Sequence, residues 1–583
     1  MGAGIKISRK YKGEGWIKME VRKPKPLIRR LIVFLSWTIF ILASCGRKTM
    51  VDLVLLNGQI WTGNAAQPWV EAVAVRGDKI WAVGSNREIR KLAGPETTRL
   101  DLKKALVLPG FIDSHTHFLD GGLALQKLQL NEVTSREEFV ARLAAEARRL
   151  GPGRWITQGN WDHQRFRPPE LPRREWIDSV TPENPVLISR HDGHMALANT
   201  LALKIAQIDR HTPSPVGGEI QKDPQSGEPT GILTDAAIDL VGRHIPTPSL
   251  AEKVEAARAA VLHAVKNGVT SVHDMGEAAN LEVYQELQRE AGLNCRVSLY
   301  IPITEIEVLE RLHWRTPFGN DFLRLCGLKG FADGSLGAGT ALFFEPYLDQ
   351  PQSHGLLHSQ MFPEGIMEER IRRADRLGIQ VAIHAIGDQA NALILDIMEK
   401  VMRENGLRER RWRIEHAQHL RPEDIARMGR LGIVASVQPY HLADDGCWAE
   451  KRIGAERAKT TYAFRSLLEK GVKLAAGSDW TVAPLNPLTG IWAAVTRQTV
   501  DGRHPQGWIP EEKISVEEAV RAYTLGGAYA EWAENLKGTI EPGKWADLVV
   551  LDKNIFSLEP EKILEAKVIL TIVGGRRVYE AQL

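Results

Sequence analysis

The feature that most constrains this chain is a series of eight short apolar runs, which alternate with longer stretches of helical character. Such alternation predicts an α/β fold with a parallel sheet, and eight units fit a closed (β/α)8 barrel. Barrels of this kind carry their active sites at the carboxyl ends of the strands, so the ends of these runs are of most interest. The predicted strands end at His117, Asp274, Ile301, Ala332, Ala385, His416, Gln438 and Ser478.

Both ends of the chain differ in character from this central region. Residues 46–108 contain short alternating runs separated by Asn-Gly and Gly-Asp turns, and similar runs return over residues 536–583. We predict that these two ends pair into one small β-sandwich. The barrel then occupies residues 109–535, with a Pro- and Gly-rich insertion after its first strand at about 120–260.

The N-terminus has the pattern of an export signal. A basic stretch, RKPKPLIRR, precedes the apolar run LIVFLSWTIFILASCG, which is too short to span a membrane comfortably. We predict a signal peptide over residues 1–45, with a single anchoring helix as the alternative. Its end, Leu42-Ala43-Ser44-Cys45, resembles a bacterial lipobox. This resemblance implies lipidation of Cys45 and a membrane-anchored lipoprotein, exported to the periplasmic side of the outer membrane.

Charge and cysteine content narrow the classes of partner. Lys and Arg number 75 against 72 Asp and Glu, and a net charge of +3 gives no reason to expect a nucleic-acid partner. Three cysteines follow Cys45 without the spacing of metal ligands, and their odd number argues against a disulfide scaffold. A small-molecule substrate is the expected partner, and a homo-oligomer stays possible.

Histidines and an aspartate fall at several of the predicted strand ends. His115 and His117 lie two residues apart on one strand, so both imidazoles face the same side. That pair alone could chelate an ion or form a polar strand face. His384, His416 and Asp479 end or follow other strands, and these ends converge on one barrel mouth. Four histidines and an aspartate suit Zn²⁺ or a similar divalent ion.

Lys329, in LKGFADGSLG, is not expected at a metal site, because a cation repels an ammonium group. Taken by itself, this segment indicates that Lys329 forms a salt bridge or points toward solvent. However, HTH, this lysine, HAIGDQA, EHAQHL, GSDW and GTIEPGKWADLVVLD occur in an order that resembles the amidohydrolase superfamily. The match is specifically to the amidohydrolase-3 branch, which includes N-substituted formamide deformylases. It extends from about Val51 to the C-terminus.

This resemblance implies a TIM-type barrel that holds one or two divalent metal ions, with Zn²⁺ as the expected ion. Lys329 would be carboxylated by CO2 into a bridging carbamate, which replaces its positive charge with a carboxylate-like ligand. Asp479 would be the catalytic residue that accepts a proton and then donates it. The implied metal ligands are His115, His117, Lys329, His384, His416 and Asp479.

Substrate contacts are predicted from the segment SRHDGHMALAN and from GSDW. Arg190 could bind a substrate carboxylate bidentately, or form a salt bridge with Asp192. His194 is interpreted as a substrate-side donor, with a supporting or surface role as the alternative. Trp480 could line an apolar pocket or pack against neighbouring elements. His441, in QPYH, has no assigned role as a ligand.

We predict an enzyme that hydrolyses a non-peptide C–N bond, in an amide or an N-formyl or N-acyl amine, by a metal-activated hydroxide. The same centre acting on an ester, a lactone or a ring imine is the closest alternative, because fold does not fix the bond attacked. A non-catalytic binding lipoprotein is a third hypothesis. It is less favoured because all six expected ligand positions are filled.

Overall fold

The computed structural model describes residues 50–157, 159–190, 195–215, 218–315, 317–406 and 408–582, without the side chains of residues 164 and 235. The predicted signal peptide, the lipidation site Cys45 and the predicted substrate residue His194 lie outside the described residues. Lipid anchoring and export therefore stay predictions. Across the described ranges, no helix combines the length and the apolar character that a membrane crossing requires.

Eight parallel strands form a nearly closed barrel, which confirms the predicted fold class. They are hydrogen-bonded in chain order, and a backbone bridge between Thr116 and Trp480 joins the last strand to the first. Most of their residues are buried, as expected for parallel strands covered on both faces. The strands are β1 (Phe111–Thr116), β2 (Val269–Met275), β3 (Arg296–Pro302), β4 (Leu323–Phe331), β5 (Gln380–Ala385), β6 (Arg413–His416), β7 (Val434–Val437) and β8 (Leu474–Ala476).

Helices cover the outside of the barrel. The helix before β2 begins with a capping box, in which Ser249 and Glu252 bond to each other's backbone N–H groups. The helix before β5 ends at Gly378 in the left-handed conformation that glycine accommodates without strain. The outer helices are Leu250–Lys266, Asn280–Arg289, Ile306–Arg311, Ile366–Leu377, Asp388–Asn405, Pro422–Leu431, Phe464–Glu469 and Pro487–Thr496.

The two ends of the described chain form a β-sandwich, as the sequence predicts. Leu106–Pro109 pairs antiparallel with Leu548–Leu551, which joins the N-terminal and C-terminal segments in one sheet. The two sheets share one buried core, to which Val75 contributes from one sheet and Val107 from the other. One sheet contains Leu53–Leu56, Ala72–Arg76, Lys79–Gly84 and Thr98–Asp101, and the other contains Gln59–Trp61, Trp69–Val70, Leu106–Pro109, Leu548–Leu551, Val568–Val573 and Arg576–Glu580.

The segment between β1 and β2 contains a five-stranded sheet with helices and two buried clusters of its own. Its strands are Ile156–Thr157, Val186–Ser189, Met195–Ala198, Gly218–Lys222 and Pro229–Asp235, and its helices are Arg136–Leu150, Arg174–Ile177, Thr200–Ile205 and Ile238–Gly242. A short strand, Phe318–Gly319, pairs with β4. The remaining α-helices are Asn86–Arg90, Phe118–Leu125, His441–Asp445, Ala449–Ile453, Ala455–Ala458, Val516–Arg521 and Gly527–Ala530.

Candidate metal centre

The carboxyl ends of the barrel strands surround one cavity of about 410 Å³. All six ligands that the sequence implies line it, although they come from five separate segments of the chain. Parallel strands of a closed barrel end at the same mouth, so residues distant in sequence meet there. The six are His115, His117, Lys329, His384, His416 and Asp479.

The two histidines of the HTH motif lie on either side of Asp479. The Nε2 atoms of His115 and His117 are 3.5 and 3.4 Å from Asp479 Oδ1. The three residues offer ligand atoms within 4.8 Å of one another, close enough to share one ion. The opposite ring nitrogen of His115, Nδ1, contacts Glu415 Oε2 at 2.5 Å. A carboxylate on one imidazole nitrogen orients the ring and leaves the other nitrogen for a metal.

Glu415 and Arg413 belong to this centre, and the sequence analysis did not identify them. Both are fully buried, and Arg413 Nε donates to Glu415 Oε1 at 2.7 Å. Burial alone raises the pKa of Glu415, but Arg413 and His115 hold that pKa well below its usual range. The signal was present in WRIEHAQH, where the two residues alternate along β6 and therefore face the barrel interior together.

Left-handed backbone conformations turn two predicted ligands toward the cavity. His416 has φ 72° at the end of β6, and Asp479 has φ 58° just after β8. Residues other than glycine adopt this region at a cost of order 1–3 kcal/mol, and such residues cluster at functional sites. The turn at His416 explains how the adjacent residues Glu415 and His416 can both contribute to one site, although an extended strand would direct them to opposite faces.

Several buried polar atoms at this mouth have no hydrogen-bond partner among the described residues. They are His115 Nε2, His416 Nδ1, Lys329 Nζ and His441 Nε2. An unsatisfied buried polar group costs about 1–3 kcal/mol, so the convergence of four on one cavity calls for a common partner. Imidazole nitrogens and a carboxylate are the donors that Zn²⁺ and similar ions accept. The residues present therefore fit a divalent metal.

Burial also sets the protonation states that metal binding requires. It lowers the pKa of His115 to about 4 and that of His384 to about 3, with the Lys329 charge acting in the same direction. These imidazoles are neutral at pH 7 and keep a lone pair for a metal. Burial lowers the pKa of Lys329, whose side chain is 3% exposed, to about 8.

His384 and His441 modify the ligand set that the sequence implies. The second group of atoms within 4.8 Å of one another contains His416, His441 and Asp479, without His384. His384 lines the same cavity, but its Nε2 lies 3.0 Å from the carbonyl oxygen of Gly334. His441, which has no predicted ligand role, lies after β7 at the start of the helix His441–Asp445.

Two predicted substrate residues do not line this cavity in the described part of the chain. Arg190 forms an ion pair with Asp162 at 3.3 Å. The ring of Trp480 stacks on His263 at 5.2 Å. It also packs so closely on the helix Phe118–Leu125 that a Cβ at Gly121 would collide with it. The ring is therefore buried against two helices outside the barrel strands and does not enter the cavity. Trp480 thus packs against neighbouring elements, which is the alternative interpretation given for it from the sequence.

Comparison with known proteins gives consistent results. Residues 99–579 match the sequence model described as the amidohydrolase family. The chain is 41% identical to Protein LONG AFTER FAR-RED 3 of Arabidopsis thaliana, over 91% of this chain and 92% of the relative. It is 30% identical to N-substituted formamide deformylase of Arthrobacter pascens, over 91% of this chain and 99% of the relative. A crystal structure of an uncharacterized metal-dependent hydrolase from Pyrococcus furiosus superposes with a TM-score of 0.72 and 31% identity, covering 87% of this chain and all of that one.

Proposed function

Because this chain belongs to the amidohydrolase family of metal-dependent hydrolases, we propose that it hydrolyses a non-peptide C–N bond in an N-formyl or N-acyl amine. The observation that carries the proposal is the convergence of three buried, unpartnered side-chain atoms of predicted ligands on one cavity beside Asp479. Similarity over nearly the whole chain to a protein named as a formamide deformylase supports the choice of an amide.

His115, His117 and Asp479 would hold one divalent ion, and His416 with His441 or His384 a second, with Zn²⁺ as the proposed metal. A divalent ion at such a site polarises a carbonyl and lowers the pKa of bound water from about 15.7 to about 7. The protein's own contribution is orientation. Glu415 fixes the ring of His115, so that Nε2 faces Asp479.

Asp479 is the residue that we propose to transfer the proton. Burial alone raises its pKa, but His115 and His117 hold that pKa well below its usual range, so the group is a carboxylate at neutral pH. Asp479 Oδ1 would accept the proton of the attacking water as the C–O bond forms. It would then donate that proton to the departing nitrogen as the C–N bond breaks.

Lys329 is proposed to react with CO2. The lowered pKa of about 8 makes the neutral amine accessible, and its Nζ would form a bond to the carbon of CO2 with loss of one proton, which leaves an anionic carbamate. Two observations support this: Nζ is buried, and it has no hydrogen-bond partner among the described residues. The carbamate would supply acceptor oxygens where an ammonium group would repel a metal.

The test combines metal content with substrate turnover. We would measure bound metal per chain by elemental analysis for wild type and Lys329→Ala. Amine release would be assayed from a panel of N-formyl and N-acetyl amines, beside esters of matching size. We expect turnover of amides that disappears on chelation and returns with Zn²⁺, and a lower metal content in Lys329→Ala.

Three results would overturn parts of this proposal. Undiminished turnover without metal would exclude the metal-dependent mechanism. Turnover of esters alone would move the proposal to the alternative bond class. A folded protein that takes up no metal would favour the binding-protein hypothesis.

A further inference from the structure

The wall of the cavity that faces the candidate metal ligands has a distinct chemistry. It includes the helix His441–Asp445, which we call the rim helix, and Trp448 just after it. Lys329 is the one lysine or arginine among the described residues that line the cavity. The apolar side chains of this lining are Phe331, Leu336, Ile386, Trp448 and Val482.

Two adjacent aspartates of the rim helix differ in their partners. Asp445 Oδ2 accepts hydrogen bonds from Gln418 Nε2 at 2.8 Å and from the Tyr462 hydroxyl at 2.7 Å. Asp444 also lines the cavity, but its carboxylate has no hydrogen bond or ion pair with any described residue. Burial raises the pKa of Asp444, and the nearby His441 only partly opposes that shift. Asp445 is therefore held by the fold, whereas Asp444 is available to a ligand.

One further side chain of the same wall suits a cationic ligand, whereas His441 is already a candidate metal ligand. Trp448 lines the cavity, and the face of an indole ring attracts cations. Asp444 and Trp448 line the same cavity, and a carboxylate together with an indole face suits an ammonium group, because the charge and the ring quadrupole both attract it.

Spacing along the rim helix places this pair near the reacting centre. His441 offers a ring nitrogen within 4.8 Å of the ligand atoms of His416 and Asp479. Asp444 lies three residues further along, so the two side chains share one face of the helix, with their Cβ atoms about 5–6 Å apart. A substrate of modest length can therefore reach both Asp479 and Asp444.

We propose that the substrate is an amide whose amine portion carries a second, protonated nitrogen, which binds to Asp444 and Trp448 while the amide lies beside Asp479. The inference rests on the proposed function and names the class of its substrate: an N-acylated diamine with a short alkyl linker. A carboxylate in place of the second nitrogen is disfavoured by Asp444 and finds no arginine in the described lining.

Ligand binding tests this assignment independently of turnover. Calorimetry would measure the binding of pentylamine and 1-pentanol to the Zn²⁺-loaded full chain. We expect pentylamine, whose ammonium group can bind to Asp444, to bind wild type at least about tenfold more tightly than 1-pentanol, which has the same alkyl chain and no charge. In Asp444→Asn the ratio of the two affinities should fall close to one.

The matched control is Asp396→Asn, which makes the same change at an exposed residue paired with Arg427 on the outside of the barrel. This variant should keep the wild-type ratio. A ratio near one in wild type, an unchanged ratio in Asp444→Asn, or no detectable binding of pentylamine would each overturn the proposal. Preserved discrimination without hydrolysis of any acylated amine would instead contradict the proposed function alone.

Discussion

The two ends of the barrel interior use similar charged residues in opposite ways. At the amino end, buried Glu531 lies 2.5 Å from Lys537 Nζ, 3.3 Å from His273 Nε2 and 3.6 Å from Arg324 Nη1. At the carboxyl end, Lys329 Nζ and three imidazole nitrogens lack hydrogen-bond partners in the described chain. Glu531 Oε1, His273 Nε2 and Arg324 Nη1 also lack a hydrogen bond among the described residues, but the charges of this first cluster are paired within the protein. Lys329 has no ion pair with any described residue, and the second cluster fits an external ion, so charge pairing separates a structural cluster from a functional one.

The largest effect should follow from Asp479→Asn. The amide cannot accept the proton of the attacking water, so we expect kcat to fall about 10³- to 10⁴-fold. Because asparagine keeps the size of the side chain and an acceptor oxygen for His115 and His117, the thermal unfolding midpoint should stay near that of wild type. The assay is amine release together with a thermal scan, and activity within tenfold of wild type would remove Asp479 from the proposed chemistry.

Glu531→Gln should instead destabilise the fold through the charged cluster at the amino end of the barrel. The substitution leaves Lys537 and Arg324 buried beside an uncharged amide, and the loss of one member of a buried ion pair costs about 3–5 kcal/mol. Chemical unfolding measures the decrease in the free energy of unfolding. Metal content should not change, since Glu531 does not line the cavity. Wild-type stability in this variant would show that the network is dispensable.

Glu415→Gln sharpens the comparison, because Glu415 is as buried as Glu531 but contacts a predicted ligand. An uncharged acceptor holds the Nδ1 proton of His115 less strongly, so we expect Zn²⁺ affinity to fall about 10- to 100-fold. Competition with a chromophoric chelator measures the change. Glu531→Gln is the matched control, and an equal loss of affinity in both variants would indicate a general effect of destabilisation.

The smallest expected effect is on the pH dependence of stability, which Glu531 at the amino end should influence. Burial alone raises the pKa of Glu531, but Lys537 and His273 hold that pKa well below its ordinary value of 4.5. A depressed carboxyl pKa stabilises the fold above the unfolded-state pKa, and that contribution is lost as the pH falls below it. The stability gap between wild type and Glu531→Gln should therefore narrow as the pH falls below about 4.5. Unfolding curves at several acidic pH values test this, and a constant gap would contradict it.

Residues that end strands could be predicted from the sequence, and residues placed by later packing could not. His115, His384 and His416 end apolar runs, and runs of that kind mark barrel strands without any knowledge of contacts. Asp444 and His441 belong to a one-turn helix whose approach to the mouth depends on the packing of the loop after β7. Trp480 shows the converse, because its position beside Asp479 in sequence did not place its ring in the cavity.

The sequence by itself determined the eight-stranded barrel, the pairing of the chain ends in a sandwich and the set of candidate ligands. Each of these depends on local periodicity and on the rule that parallel strands end at one mouth. Only the tertiary structure decided which carboxylates are paired and which are free to bind a ligand. Glu415 and Asp445 have partners from other segments, and Asp444 has none among the described residues. Partnership between side chains distant in sequence is set by three-dimensional packing, which local sequence patterns do not encode.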